Sequence, residues 1–165
     1  MEFIGELVWE FIFKFYKEKR YEPSRIFLLG LGQGGRVALD VAVKSSQHLG
    51  GVISSQHLGG VISISSCLSS THSYPSSWNN GPTPILLLTS SDQSLIPQQD
   101  HQSLIPQQDL NLLKRLFKDT KIVYLNEDNQ EGQVSRMQVK EIMTFLDRFL
   151  YLRNIQLEKM ATLVN

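Results

Sequence analysis

The sequence predicts an α/β fold, a three-layer sandwich around a small parallel sheet of about four strands. Three observations predict it. Short apolar runs at 26–30, 60–65, 84–89 and 121–126 alternate with stretches of helical periodicity at 2–20, 35–47, 108–118 and 135–158. Strands separated by helices need crossover connections, so neighbours run parallel and helices cover the sheet on both sides. The chain has 165 residues, 41% of them hydrophobic, which suffices for one core and predicts a single domain over 1–165.

The first helix, 2–20, carries Phe3, Leu7, Phe11 and Phe15 on one row and Ile4, Val8 and Ile12 on the next. Trp9, Phe13 and Tyr16 widen this surface, while Glu2, Glu6, Glu10, Lys14 and Lys17 interrupt it too often for a transmembrane segment, which needs about 20 apolar positions. A helix apolar nearly all round is buried on more than one side, or offers its uncovered part to a protein partner. The run 26–30 ends in glycines and opens into the helix at 35–47. The strand at 60–65 leads to a Ser-, Asn- and Pro-rich loop, 66–83, which reads as a solvated connector. After the strand at 84–89 and the helix at 108–118 come the strand at 121–126 and a last helix, 135–158. Val139, Ile142, Met143, Leu146, Phe149 and Leu150 form its expected core face.

Two tandem duplications interrupt this order, at 45–62 and 92–109. Ser45 to Ile53 recurs unchanged at 54–62, and Gln93 to Asp100 recurs at 102–109, both with a nine-residue period. Two copies of so short a unit cannot build a solenoid, whose units run to about 20 residues or more. The extra copies are expected to loop out. The second Gly-Gly-Val-Ile, which continues into Ser-Ile-Ser-Ser, reads better as the strand.

Sixteen basic and sixteen acidic side chains balance, and no basic stripe with interleaved aromatics occurs, which argues against nucleic acid. The single Cys67 cannot form an internal disulfide, and the start of the chain lacks the basic segment and small-residue cleavage site of a secretory signal. A cytoplasmic setting is expected. Cys67 reads as a structural thiol, and no residue spacing calls for a metal or another cofactor.

Function turns on the glycines at 30–35. Gly30-Leu31-Gly32-Gln33-Gly34-Gly35 fits G-x-G-x-x-G, the loop of a nucleotide-binding module, or G-x-S-x-G with glycine in the place of serine. The dinucleotide fingerprint requires an acidic residue roughly 20 positions on, at the end of the second strand. Asp40 falls within the predicted helix, and no Asp or Glu follows it before Asp92.

The same six residues resemble the Gly-Phe-Ser-Gln-Gly-Gly elbow of the acyl-protein thioesterase and carboxylesterase branch of the α/β hydrolases. Glu22-Pro23-Ser24-Arg25-Ile26 is similar to that family's lead-in to the elbow strand, and Arg36-Val37-Ala38-Leu39 to the start of its elbow helix. Thr83 to Leu88, with Ser90-Ser91-Asp92 and Leu95-Ile96-Pro97, resembles the strand and loop that deliver its catalytic aspartate, although Pro97 stands one residue further from Asp92 than is usual. The resemblance implies the C-terminal half of an α/β hydrolase sheet, an acyl or lipid ligand, and either an active serine esterase or thioesterase or a degenerate one. It makes Gly32 and Asp92 the vestigial catalytic positions. The Gln33 N–H becomes half of an oxyanion hole, and Gly30, Gly34 and Gly35 become the elbow glycines.

The residue types argue for degeneracy. Glycine has no hydroxyl to attack a carbonyl, and no other G-x-S-x-G occurs. The loop after the last strand, 126–134, contains no histidine. His48, His57, His72 and His101 all lie upstream, and His101 stands on the same loop as Asp92, a poor position for a surrogate base. The oxyanion loop that precedes the elbow in such hydrolases has no counterpart in this sequence. Glycine also suits the strained backbone of an elbow, so loss of serine relieves strain as it removes chemistry.

Overall fold

The computed structural model describes residues 2–19, 22–48, 57–69, 74, 81–90, 105–125 and 134–162. They form α1 (Glu2–Lys19), a 3₁₀ turn (Pro23–Arg25), β1 (Phe27–Leu31), α2 (Gln33–His48) and β2 (Gly60–Ile64). β3 (Ile85–Ser90), α3 (Gln107–Leu116), β4 (Thr120–Leu125) and α4 (Arg136–Thr162) follow. The strands form one four-stranded sheet in the order β1-β2-β3-β4, parallel throughout, with Phe27 opposite Gly60, Val61 opposite Ile85 and Ile85 opposite Thr120. The fold is α/β, as the alternation of periods predicts.

The chain divides into two compact units, Met1–Glu127 and Asp128–Asn165. The first holds the sheet and α1 to α3. Strand side chains alternate between faces, and one face presents Leu28, Val61, Ile85, Leu87 and Ile122 to a single apolar cluster. Leu39, Val41 and Ala42 of α2, Ile12 of α1, and Leu110, Leu113 and Leu116 of α3 complete it, so all three helices share that face. On the opposite face Ile62, Ile64, Leu86 and Leu88 are fully buried too. Burial on both faces explains why β2 and β3 read as continuous apolar runs rather than alternating ones.

Of the duplicated segments, the second Gly-Gly-Val-Ile supplies β2, in line with its better strand pattern. The first copy begins inside α2, where the hydroxyl of Ser45 donates to the Ala42 carbonyl at 2.8 Å. The first four residues of the first copy end α2, and the last three of the second copy start β2. Val52 and Ile53, and the whole of 93–100, lie outside the described residues.

α1 is an over-apolar helix that packs against α2. Ile12 is buried and Val8 and Trp9 pack against the core, whereas Ile4, Leu7, Phe11 and Phe15 stay exposed, Phe11 to 62%. None of the helices among the described residues is long and apolar enough to cross a membrane.

Of the segment 66–83, expected to be a solvated connector, residues 66–69, 74 and 81–83 are described. Cys67, Leu68, Thr83 and Pro84 are buried, and the Tyr74 hydroxyl donates to Asp40 on α2 at 3.2 Å. Apolar side chains at its two ends and one hydroxyl between them hold the described part against the first unit.

In the second unit, α4 starts at a capping box. The Ser135 N–H donates to Gln138 Oε1 at 2.9 Å, and the Gln138 N–H donates to Ser135 Oγ at 3.1 Å. Gln138, Ile142 and Phe145 are buried, while Val139 and Met143, expected on the core face, are exposed to 47% and 59%. Ile142 keeps its expected place on the buried stripe, which takes Gln138 and Phe145 rather than Val139 and Met143. Ser135→Ala is expected to lower the stability of this unit by about 1 kcal/mol, read as the urea midpoint of α4 helicity.

Candidate functional site

The glycine-rich segment forms a strand, a one-residue turn and a helix. β1 ends at Leu31, Gly32 makes the turn with φ of +53°, and α2 begins at Gln33, two residues earlier than its periodicity predicts. The helix can start there because the Gly32 carbonyl accepts from the N–H groups of Gly35 at 3.0 Å and Arg36 at 3.3 Å. The Gly32 N–H donates to the Ile64 carbonyl at 2.8 Å, which ties the turn to the end of β2. A positive φ costs a side-chain-bearing residue roughly 1 kcal/mol and costs glycine nothing.

The glycines do different work. A Cβ at Gly30 would overlap the backbone of Gly34 and Gly35, so β1 and α2 approach closely only because residue 30 has no side chain. A Cβ at Gly35 would overlap the hydroxyl of Ser63, which donates to the Ser66 carbonyl at 2.6 Å. Sequence reasoning missed Ser63, the β2 residue that buttresses the turn, since nothing in a lone serine within an apolar strand marks it. At Gly32 and Gly34 a Cβ would meet nothing within 4 Å. Residue 32 therefore points into open space, at the place where an elbow presents its reactive group.

Of the histidines and the aspartate that the sequence offers, only the ring of His57 falls among the described residues. His57, the histidine whose ring is described, has its Nδ1 2.9 Å from the neighbouring Leu58 carbonyl. It precedes Gly60, which pairs with Phe27, and five strand positions at about 3.3 Å each put that level roughly 16 Å from Gly32. Asp92, His72 and His101 lie outside the described residues, as does the ring of His48. β2 ends at Ile64 and is followed by Ser65, with no carboxylate for a ribose. Gln33 sits at the first position of α2 with an exposed side chain, so its N–H belongs to the helix N-terminus. Cys67 is buried, donates to the Asp109 carbonyl at 3.6 Å and has its thiol pushed up to about 12 by burial. Such a thiol is not a nucleophile at neutral pH. Among the described residues no cluster of His, Cys, Asp and Glu could hold a metal ion.

The sequence pattern of the phospholipase/carboxylesterase family matches residues 6–150, and so includes the elbow, all four strands and most of α1. The chain belongs to that family. Its fold is similar to a crystal structure of a point variant of Arabidopsis thaliana SOBER1, with a TM-score of 0.61 and 20% identity over 88% of this chain. The likeness spans 63% of the SOBER1 chain. No curated protein matches. Within residues 6–150 that match, Gly32 stands at the turn between β1 and α2, at positive φ and with open space where a Cβ would be.

Proposed function

We propose that this member of the phospholipase/carboxylesterase family is catalytically inactive and acts by binding or association. One observation carries the reading: the residue at the elbow apex is Gly32, at positive φ with free space around it, so the place of the nucleophile has no oxygen. The lack of histidine in the segment 126–134 supports it, because no imidazole stands between β4 and α4, where the family resemblance places the base. The retained fold then serves recognition. An acyl or lipid group, or a protein partner meeting the exposed row Leu7, Phe11 and Phe15 of α1, suits its apolar surface. A reducing, cytoplasmic setting suits its single buried thiol.

A fluorophosphonate probe and a short-chain thioester test the reading on the purified chain. Neither covalent labelling nor turnover above background is expected. Gly32→Ser is expected to fold, at a cost of about 1 kcal/mol for the positive φ, and to remain unlabelled, since a hydroxyl with no base is a poor nucleophile. Stoichiometric labelling of a serine in the natural chain, rising and falling with thioester turnover across variants, overturns the inactive reading.

A further inference from the structure

β2 is drawn from a segment that the chain contains twice. Leu58-Gly59-Gly60-Val61-Ile62 supplies its lead-in and first three positions, and Leu49-Gly50-Gly51-Val52-Ile53 repeats those residues nine positions earlier. The place that β2 fills accepts few sequences. All five of its residues are buried, Leu58 before it is fully buried, and a Cβ at Gly59 would overlap the ring of Phe27. The first copy meets each of these demands as far as Ile53, and Ser54 then matches Ser63, the residue packed against Gly35. The two sequences first differ at the last strand position, where Ser55 corresponds to Ile64.

A slip of nine residues is odd, and in an ordinary strand it would turn every side chain to the other face. Here each residue gives way to its own duplicate and the faces are kept. Val52 falls opposite Ile85 as Val61 does, and Ile53 opposite Leu86 as Ile62 does. Connectivity permits the slip as well. α2 ends at His48 and β2 starts at Gly60, so the link between them is 49–59, eleven residues. With Gly51 in the place of Gly60 the link is 49–50, and about two residues suffice between a helix and the parallel strand that follows it. The nine surplus residues then follow the strand instead of preceding it, at a similar closure entropy.

We infer that β2 is a two-register strand, with Gly51 to Ser55 replacing Gly60 to Ile64 in a minor state. One buried exchange, Ser55 for Ile64, sets the ratio. Ile64 is fully buried, and truncating such a side chain shifts an equilibrium roughly a hundredfold to a thousandfold. The slip also relocates the surplus. In the described register it precedes Gly60, which pairs with Phe27; in the slipped one it follows the position of Ile64, whose carbonyl accepts from the Gly32 N–H. Anything that favours one position of the surplus shifts the ratio by its differential affinity, which makes the strand a conformational switch beside the glycine turn. The inference is independent of whether residue 32 is catalytic.

Hydrogen exchange on the full chain tests it, read by mass spectrometry over peptides that separate 51–55 from 60–64. In Ser55→Ile the two strand sequences are the same, and both segments are expected to share protection, with populations within about tenfold of each other. In Ser55→Ile combined with Ile64→Ser the first copy alone carries the buried isoleucine. Protection is then expected to move to 52–55, at a melting temperature near that of the natural chain. Protection confined to 61–64 in the single variant overturns the proposal. So does a double variant in which 52–55 stays unprotected, whether the chain holds the described register at lower stability or unfolds.

Discussion

Gly30→Ala is expected to lower stability by more than about 3 kcal/mol, enough to leave much of the chain unfolded, whereas Gly34→Ala is expected to be neutral or mildly stabilising. The two residues stand in one motif, and their environments are opposite. The methyl group of an alanine at 30 would overlap the backbone of Gly34 and Gly35, which cannot rotate aside as a side-chain end can. Relief requires moving α2 away from β1, and with it Leu39, Val41 and Ala42, which are fully buried in the core. At Gly34 an added Cβ meets nothing within 4 Å, and alanine is about 0.5 to 1 kcal/mol better than glycine within a helix. Urea denaturation of both variants checks the pair. Equal stability of the two would refute the close approach of strand and helix at residue 30, and with it the elbow geometry.

Cys67 is expected to react with a thiol reagent at pH 8 about a thousandfold more slowly in the native chain than in the unfolded one. Its proton is held from an ordinary value of 9.0 up to about 12, mainly because burial penalises the thiolate, and each unit lowers the thiolate fraction tenfold. The same shift makes stability depend on pH. Above 9 the unfolded chain releases this proton and the native chain keeps it, so the native state binds more protons and stability falls as pH rises. The loss begins near pH 9 and ends near 12, with a slope of about 1.4 kcal/mol per pH unit while it lasts. Tyr74 acts in the same direction, since burial and then the nearby Asp40 carboxylate raise its hydroxyl above the usual tyrosine range. Urea midpoints between pH 8 and 11 are expected to decline, and the decline to be shallower in Cys67→Ala. A flat profile in the natural chain, or rapid native labelling, would show the thiol to be accessible.

The elements and their order were legible in the sequence because the two periods differ. All eight main elements appear within a few residues of where apolar spacing puts them, since a run such as Ile85 to Leu88 can be satisfied only by burial on both faces. Absence of a hydroxyl at residue 32, and of an imidazole after β4, is a matter of residue identity and needs no coordinates. Helix faces were less legible. On α4 Ile142 is buried as its spacing favours, but Gln138 and Phe145 take the places expected of Val139 and Met143, because periodicity locates an apolar stripe without saying which of two adjoining rows faces inward.

Tertiary structure decided the rest. Four glycines that look interchangeable in the sequence separate into two that prevent overlap, Gly30 and Gly35, one that permits a positive φ, Gly32, and one with no steric duty, Gly34. Nothing local distinguishes them, because the atoms that do so belong to Ser63 and to the helix that folds back over β1. The order β1-β2-β3-β4 and the parallel register of the described strands are likewise set by pairing between residues far apart in the chain. Chain chemistry thus determined which groups exist and at which positions. Long-range packing determined where those groups stand, since contacts between residues distant in sequence leave no periodic trace within it.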